Sequence, residues 1–306
     1  MSPASLHAAR RPGGAGRAAP WGYLVLALAL VAVWIYLPLA LTGMLSVTSW
    51  DLIGTPRLVG IANYQAVLGD PDSLAAFDNT ALYALAAFPL LVVLPVPVAV
   101  AVWKHAGHLR STYRLALFFP VIVAPVMGAY LWQWVINPTG GILPGLLAMA
   151  GVPSPPLLQS SRLALWTIVG LTTWKMFGLS VVLYQAGLAG VDRALLDAAR
   201  TDGAGEWQVT KHVLLPALRP TAGMVAFLAL ISVAQWSFAF INVLTQGGPG
   251  QATSNALYRV YELGLLDFDG GQASAVAVLF FVVIGGLALL ALTLGRRGAT
   301  AVRIPS

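Results

Sequence analysis

The chain has no cysteine, so disulfides and thiolate metal sites are excluded from the start. Charge is also scarce. Asp, Glu, Lys and Arg make up 9% of 306 residues, where soluble domains carry about 25%. With 58% hydrophobic residues and a mean hydropathy of +0.79, this composition describes an integral membrane protein. Only four histidines are present, and His105, His108 and His212 sit beside Lys or Arg in polar segments, as solvated loop residues do. A pI near 9.8 could suggest nucleic acid, but in a membrane chain basic excess more often marks one side of the bilayer. No paired carboxylates or histidine clusters fall at membrane depth, so an embedded enzyme lacks support.

Long apolar runs are what the sequence does have. A helix needs about 20 mostly apolar residues to cross the hydrocarbon core. Six segments qualify, predicting spans at 22–45, 80–103, 114–136, 163–187, 221–243 and 272–295 within a membrane domain of 21–296. The runs are continuous and not alternating, which excludes a β-barrel. Pro89, Pro95, Pro97, Pro120 and Pro125 fall in the second and third spans, where they kink helices whose freed carbonyls neighbours can satisfy. The first apolar run is longer than the 7–15 residues of a signal-peptide core and is expected to be retained. Residues 1–20 and 297–306 read as terminal tails.

Six spans put both ends on one side. Arg10, Arg11, Arg17, Lys104, Arg110, Arg114, Arg193, Arg200, Lys211, Arg219, Arg296, Arg297 and Arg303 gather on that side. The other side has Arg57, Arg162 and Arg259, and Lys175 lies within the fourth span. The bias predicts cytoplasmic termini. All the acids are expected in loops, which argues against a proton-driven carrier relying on an intramembrane carboxylate. The 46–79 and 244–271 loops are long enough for a lid or short interfacial helices. TQGGPG (245–250) is a turn cluster without the Gly-Lys-Ser/Thr of a phosphate loop.

Between spans four and five lies VDRALLDAARTDGAGEWQVTKHVLLP (191–216). Asp192 can cap a helix running to Arg200. Asp202-Gly203 breaks it. A second helix fits Glu206 to Leu215, ended by Pro216 and Pro220. The result is a helix–turn–helix elbow. Its Leu195, Leu196, Ala199, Trp207, Val213 and Leu214 either pack under their own bundle or form a knob for a partner.

This stretch resembles the EAA loop of permease subunits of bacterial binding-protein-dependent ABC importers. The pattern places Glu-Ala-Ala three residues before Gly and ends on an aliphatic-Pro pair. Here it reads Asp197-Ala198-Ala199, Asp202-Gly203-Ala204 and Leu215-Pro216. Asp197 stands in place of the usual Glu, and Asp192 stands where sugar permeases often have Pro. Further stretches resemble sugar-type permeases in the same order: SVTSWDL (46–52), VGIANYQAVLGDP (59–71), NTALYAL (79–85), NPTGGILPGLL (137–147), TWKMFGLSVVLYQAGLAGV (173–191) and LTQGGPGQAT (244–253).

The resemblance implies an all-α permease fold whose cytoplasmic elbow couples to an ATPase. It also implies a second permease subunit, two copies of a cytosolic ABC ATPase, which bind the ATP and Mg, and an extracellular solute-binding protein. The chain itself would bind no cofactor and no metal. A stand-alone carrier or channel is the competing reading. Within the spans, Gln235, Trp236 and Asn242 are candidates for lining a sugar path, and Ser232 and Ser237 for gluing helices together. Lys175, costly at a span centre, must face a cavity, a partner subunit or backbone carbonyls.

Overall fold

The computed structural model describes residues 19–105 and 107–300. The terminal tails therefore lie outside the described residues, apart from their innermost positions, and so do Arg10, Arg11, Arg17 and Arg303 of the charge bias. The described residues are mostly helical, and the strands among them form one hairpin with two residues on each side, β1 (Thr48–Ser49) against β2 (Arg57–Leu58), a small departure from an all-α fold.

The helices in chain order are α1 (Tyr23–Leu45), α2 (Ala62–Gly69), α3 (Pro71–Lys104), α4 (Arg110–Ile122), α5 (Pro125–Val135), α6 (Ile142–Met149), α7 (Ser161–Ala189), α8 (Arg193–Thr201), α9 (residues 206–217), α10 (Arg219–Thr245), α11 (Ala256–Tyr261) and α12 (Gly270–Thr300). Five are long and apolar enough to cross a membrane, namely α1, α3, α7, α10 and α12; α4 and α5 make a sixth if they count as one broken span. α7 is the central element, packed against α3, α4 and α10. Tyr184, Ile168, Val181 and Leu188 on α7 meet Tyr83, Leu91 and Phe240 in one apolar core. α1 buries almost nothing within the chain and touches mainly α12 through its last turns.

Two helices differ from the expected spans. The third is not one helix over 114–136: α4 and α5 meet at 96°. Pro125 has no N–H and pushes Ala124 out of the helical region, and Val123 and Ala124 are both extended, with ψ of 129° and 138°. The helix that carries the second expected span starts at Pro71, nine residues before the apolar run at 80. The Asp70 side chain accepts from Ser73 N at 2.9 Å, and Pro71 opens the first turn, a favourable start for a helix. Asp72 and Asp78 thus lie on a helix rather than in a loop. Within α3 the backbone widens to π-type turns over Phe88–Val93, where Leu94 N bonds to Pro89 O at 2.9 Å, so the prolines are absorbed without a break.

The 244–271 segment carries the short helix α11 and packs against α3. Asn79 Nδ2 on α3 donates to Gln251 O (2.9 Å) and Ser254 O (3.0 Å), and Tyr83 Oη to Thr253 O (3.1 Å). Thr80 Oγ1 accepts from Ala256 N at 2.8 Å. Arg259 closes this end of the bundle with Asp70 (2.8 Å), Glu262 (2.6 Å) and Ser73 Oγ (3.2 Å). Burial opposes ionisation of Asp70, but Ser73 and Arg259 outweigh it and hold the carboxyl below its usual range.

Candidate coupling elbow and transport path

α7 ends at Ala189, and only Gly190, Val191 and Asp192 separate it from α8. Asp192 Oδ1 accepts from Ala194 N at 2.9 Å, the expected cap. At the far end Gly203 takes φ +81°, and the N–H groups of Gly203 and Ala204 return to Arg200 O and Ala199 O, each at 3.0 Å. Only glycine enters that region without cost, so the turn is built into the sequence. Gln208 Oε1 accepts from Gly205 N at 2.8 Å and starts α9. α9 differs from the expected helix: after one α-helical turn it widens to π-type turns over Thr210–Leu214, and it runs through Pro216 to Ala217. Pro216 sits in the first turn of the last segment, where its missing N–H costs little, so it does not end the helix.

The elbow's apolar residues divide between those packed under the bundle and those left on the surface. Leu196, Val209 and Leu214 are buried, with Ala199, Ala204 and Val213 packed against them. Leu195 and Trp207 stay 59% and 72% exposed. Among the motif residues Asp197, Ala198, Asp202, Gly203, Leu215 and Pro216 lie on the surface. Asp197 reaches no farther than Arg200 on its own helix, at 3.9 Å.

The sequence reading missed the contact that ties the elbow to the bundle. Lys104, the last residue of α3, donates to Glu206 Oε2 (2.6 Å), Glu206 O (3.2 Å) and Thr210 Oγ1 (2.9 Å). Arg200 Nη2 also lies 3.5 Å from Glu206. The Lys104 hydrogen bond and charge hold the Glu206 carboxyl below the ordinary range. Lys104, Arg193, Asp197, Arg200 and Glu206 line a polar groove of about 550 Å³ where α3 meets the elbow.

The path candidates lie on α10 and α7. Gln235 is exposed on α10, and Trp236 and Asn242 are half-buried. Ser237 is spent on helix packing, donating to Val233 O at 2.7 Å and accepting from Asn255 Nδ2 at 2.9 Å. Lys175, at the midpoint of α7 and 1% exposed, points at backbone carbonyls. Its Nζ donates to Pro120 O (2.6 Å), Val121 O (3.0 Å) and Val123 O, and lies 5.1 Å from the centre of the Trp236 ring. All three ammonium donors are used. Among the described residues no group of three His, Cys, Asp or Glu side chains is placed to hold a metal.

Membrane-length helices joined by an exposed helical elbow describe an integral membrane protein. Residues 74–294 match the family described as binding-protein-dependent transport system inner membrane component, and the chain belongs to that family. It is thus a permease subunit, not a stand-alone carrier or channel. The sn-glycerol-3-phosphate transport system permease protein UgpA of Agrobacterium fabrum is 28% identical over 228 residues, covering 74% of this chain and 77% of that one. Its counterpart in Rhizobium meliloti is 28% identical over 271 residues, covering 87% and 91%. Among solved structures, a bacterial ABC transporter involved in import of the acidic polysaccharide alginate has a chain with the same fold. Its TM-score is 0.79 at 20% identity, covering 91% of this chain and 95% of that one.

Proposed function

We propose that this chain forms half of a transmembrane path for a sugar or sugar-like solute, driven by an ATPase made as a separate subunit. An extracellular binding protein delivers the solute, a second permease completes the path, and both ends of this chain lie in the cytosol with the elbow. The relatives' names support the solute class: one group is named for sn-glycerol-3-phosphate, and the solved neighbour imports alginate. The Lys and Arg bias supports the orientation.

One observation carries the coupling role: the elbow is a braced bracket. It is continuous with α7, turned by Gly203 and tied to α3 by Lys104–Glu206, and it presents Leu195 and Trp207 outward. A rigid bracket passes a push on its outer face to the helices behind it. Gly203→Pro and Asp197→Lys are the test. Both variants should reach the membrane in normal amount, lose uptake and release the ATPase on purification. Normal uptake in both would sink the coupling role. The three carbonyls that engage Lys175 support a structural role for it over phosphate binding.

A further inference from the structure

We infer that α4 and α7 move with the elbow as one body, and that the break at Val123–Ala124, held by Lys175, is the hinge about which α5 swings. The inference rests on the reading of the elbow as the point where an ATPase pushes.

Three clamps bind α4 to α7. Near the elbow, Arg114 Nε donates to Gln185 Oε1. Higher up, Gly178 lies so close to Leu117 O that no Cβ could be added without displacing the backbone. At the top, Lys175 takes the end of α4. Positions 178 and 185 lie almost two full turns apart on α7, and position 175 is displaced from them by roughly 60–80° around the helix, so the three fall within one sector of its surface. α4 therefore runs along a single stripe of α7, fixed at both ends and in the middle.

Past Val123 the packing changes. α5 lies chiefly against α10. It meets α7 edge-on, with Trp132 and Trp174 at 5.4 Å and 84°. The Trp132 indole N–H has no acceptor in this arrangement, so a different seating of α5 would break no hydrogen bond there.

Lys175 fits the break chemically. Pro120 O would bond to Ala124 N in an unbroken helix, and Val121 O to the N–H that Pro125 lacks. The ammonium supplies donors to both, at the end of α4 where the helix dipole favours a cation. The break can thus persist at membrane depth without water. The Trp236 face beside Nζ extends the link to α10, next to Gln235. Lys175 is a positioning residue: it sets where the chain bends, and through Trp236 it senses the helix that carries the path candidates.

The chain has no cysteine, so pairs of spin labels can be placed without background. Leu115→Cys with Ala186→Cys reports within the α4–α7 body, and Leu131→Cys with Ala186→Cys reports across the hinge. Both pairs are measured by pulsed EPR in the assembled importer, without nucleotide and with ATP plus vanadate. The across-hinge distance should shift by about 5 Å, roughly one helical pitch, while the within-body distance stays put. Equal shifts in both pairs, or a fixed across-hinge pair beside a moving within-body pair, overturn the inference. Without nucleotide, Lys175→Met should broaden the across-hinge distribution alone and Lys175→Arg should keep it narrow; an unchanged distribution in Lys175→Met also overturns it. If Lys175→Met does not assemble, the label pairs in the otherwise unaltered chain decide the matter. If ATP moves no pair, the ATPase-driven reading fails, and the Lys175 variants still judge the hinge.

Discussion

Lys104 and Glu206 are 102 positions apart and meet at 2.6 Å, joining the end of α3 to the start of α9. The lysine is mostly covered and the glutamate is 64% exposed. The contact adds little to fold stability, as exposed pairs generally do. In the proposed coupling role its consequence is mechanical, because it bridges the elbow and the bundle.

Reversing either charge should therefore weaken transport more than folding. Lys104→Glu or Glu206→Lys is expected to reduce uptake several-fold with unchanged membrane abundance, and the double reversal to recover most of it. Uptake and immunoblot of membranes check this. Equal loss in the double variant would show that the pair does not act as a unit.

The same contact has a defined pH window. The folded-state pKa of Glu206 is depressed, so the pairing is at full strength above the ordinary value of 4.5 and is lost only as pH falls through the lower folded value. ATPase retention on the purified complex should be flat from neutral pH down to about 5. A drop between pH 7 and 6 would implicate another group.

At the opposite end of the bundle, Arg259→Met strands Asp70 and Glu262. Breaking a buried pair costs about 3–5 kcal/mol. Partial exposure of Asp70 reduces this to roughly 1–3 kcal/mol. Thermal unfolding in detergent should move down accordingly. Asp70 is likewise depressed below its ordinary 3.8, so the stabilisation should persist above that pH and fade only in stronger acid.

Gly178→Val tests the α4–α7 clamp. The added side chain meets Leu117 O, a backbone atom that cannot rotate away. Overpacking of this kind costs about 1–3 kcal/mol or more, so the variant should be poorly assembled, while Gly170→Val on an open face of the same helix should behave normally.

Orientation is checked by reporters fused after residues 150, 205 and 250. The account predicts a cytosolic reporter at 205 and external ones at 150 and 250. Position 250 is exposed, whereas the nearby Asn255 is buried and bonded to Ala234 O and Ser237 Oγ, so a fusion at 255 would disturb the packing.

Much of this was legible in the sequence, and what was missed has clear physical causes. Apolar runs located the long helices, because burial in lipid needs length and composition and little else. The elbow was legible because Asp192 and Gly203 act on their immediate neighbours. The start of α3 was misjudged because hydropathy ignores a polar first turn; Asp70-Pro71 was the available signal. The 96° break had Pro120 and Pro125 as markers, but the ammonium that takes its freed carbonyls comes from Lys175 on another helix. Lys104–Glu206 had no local trace at all, since pairing across 102 positions follows from packing.

The central claim is that this chain moves solute only when a separate ATPase pushes its elbow. The direct measurement is uptake of labelled sn-glycerol-3-phosphate and of neutral and acidic oligosaccharides into vesicles holding this chain and its sister permease. The external binding protein is supplied, and the ATPase is either present or left out. The account predicts accumulation of one of these solutes with ATPase and ATP, and none without them. Equal uptake in vesicles that lack any ATP-hydrolysing subunit would contradict it.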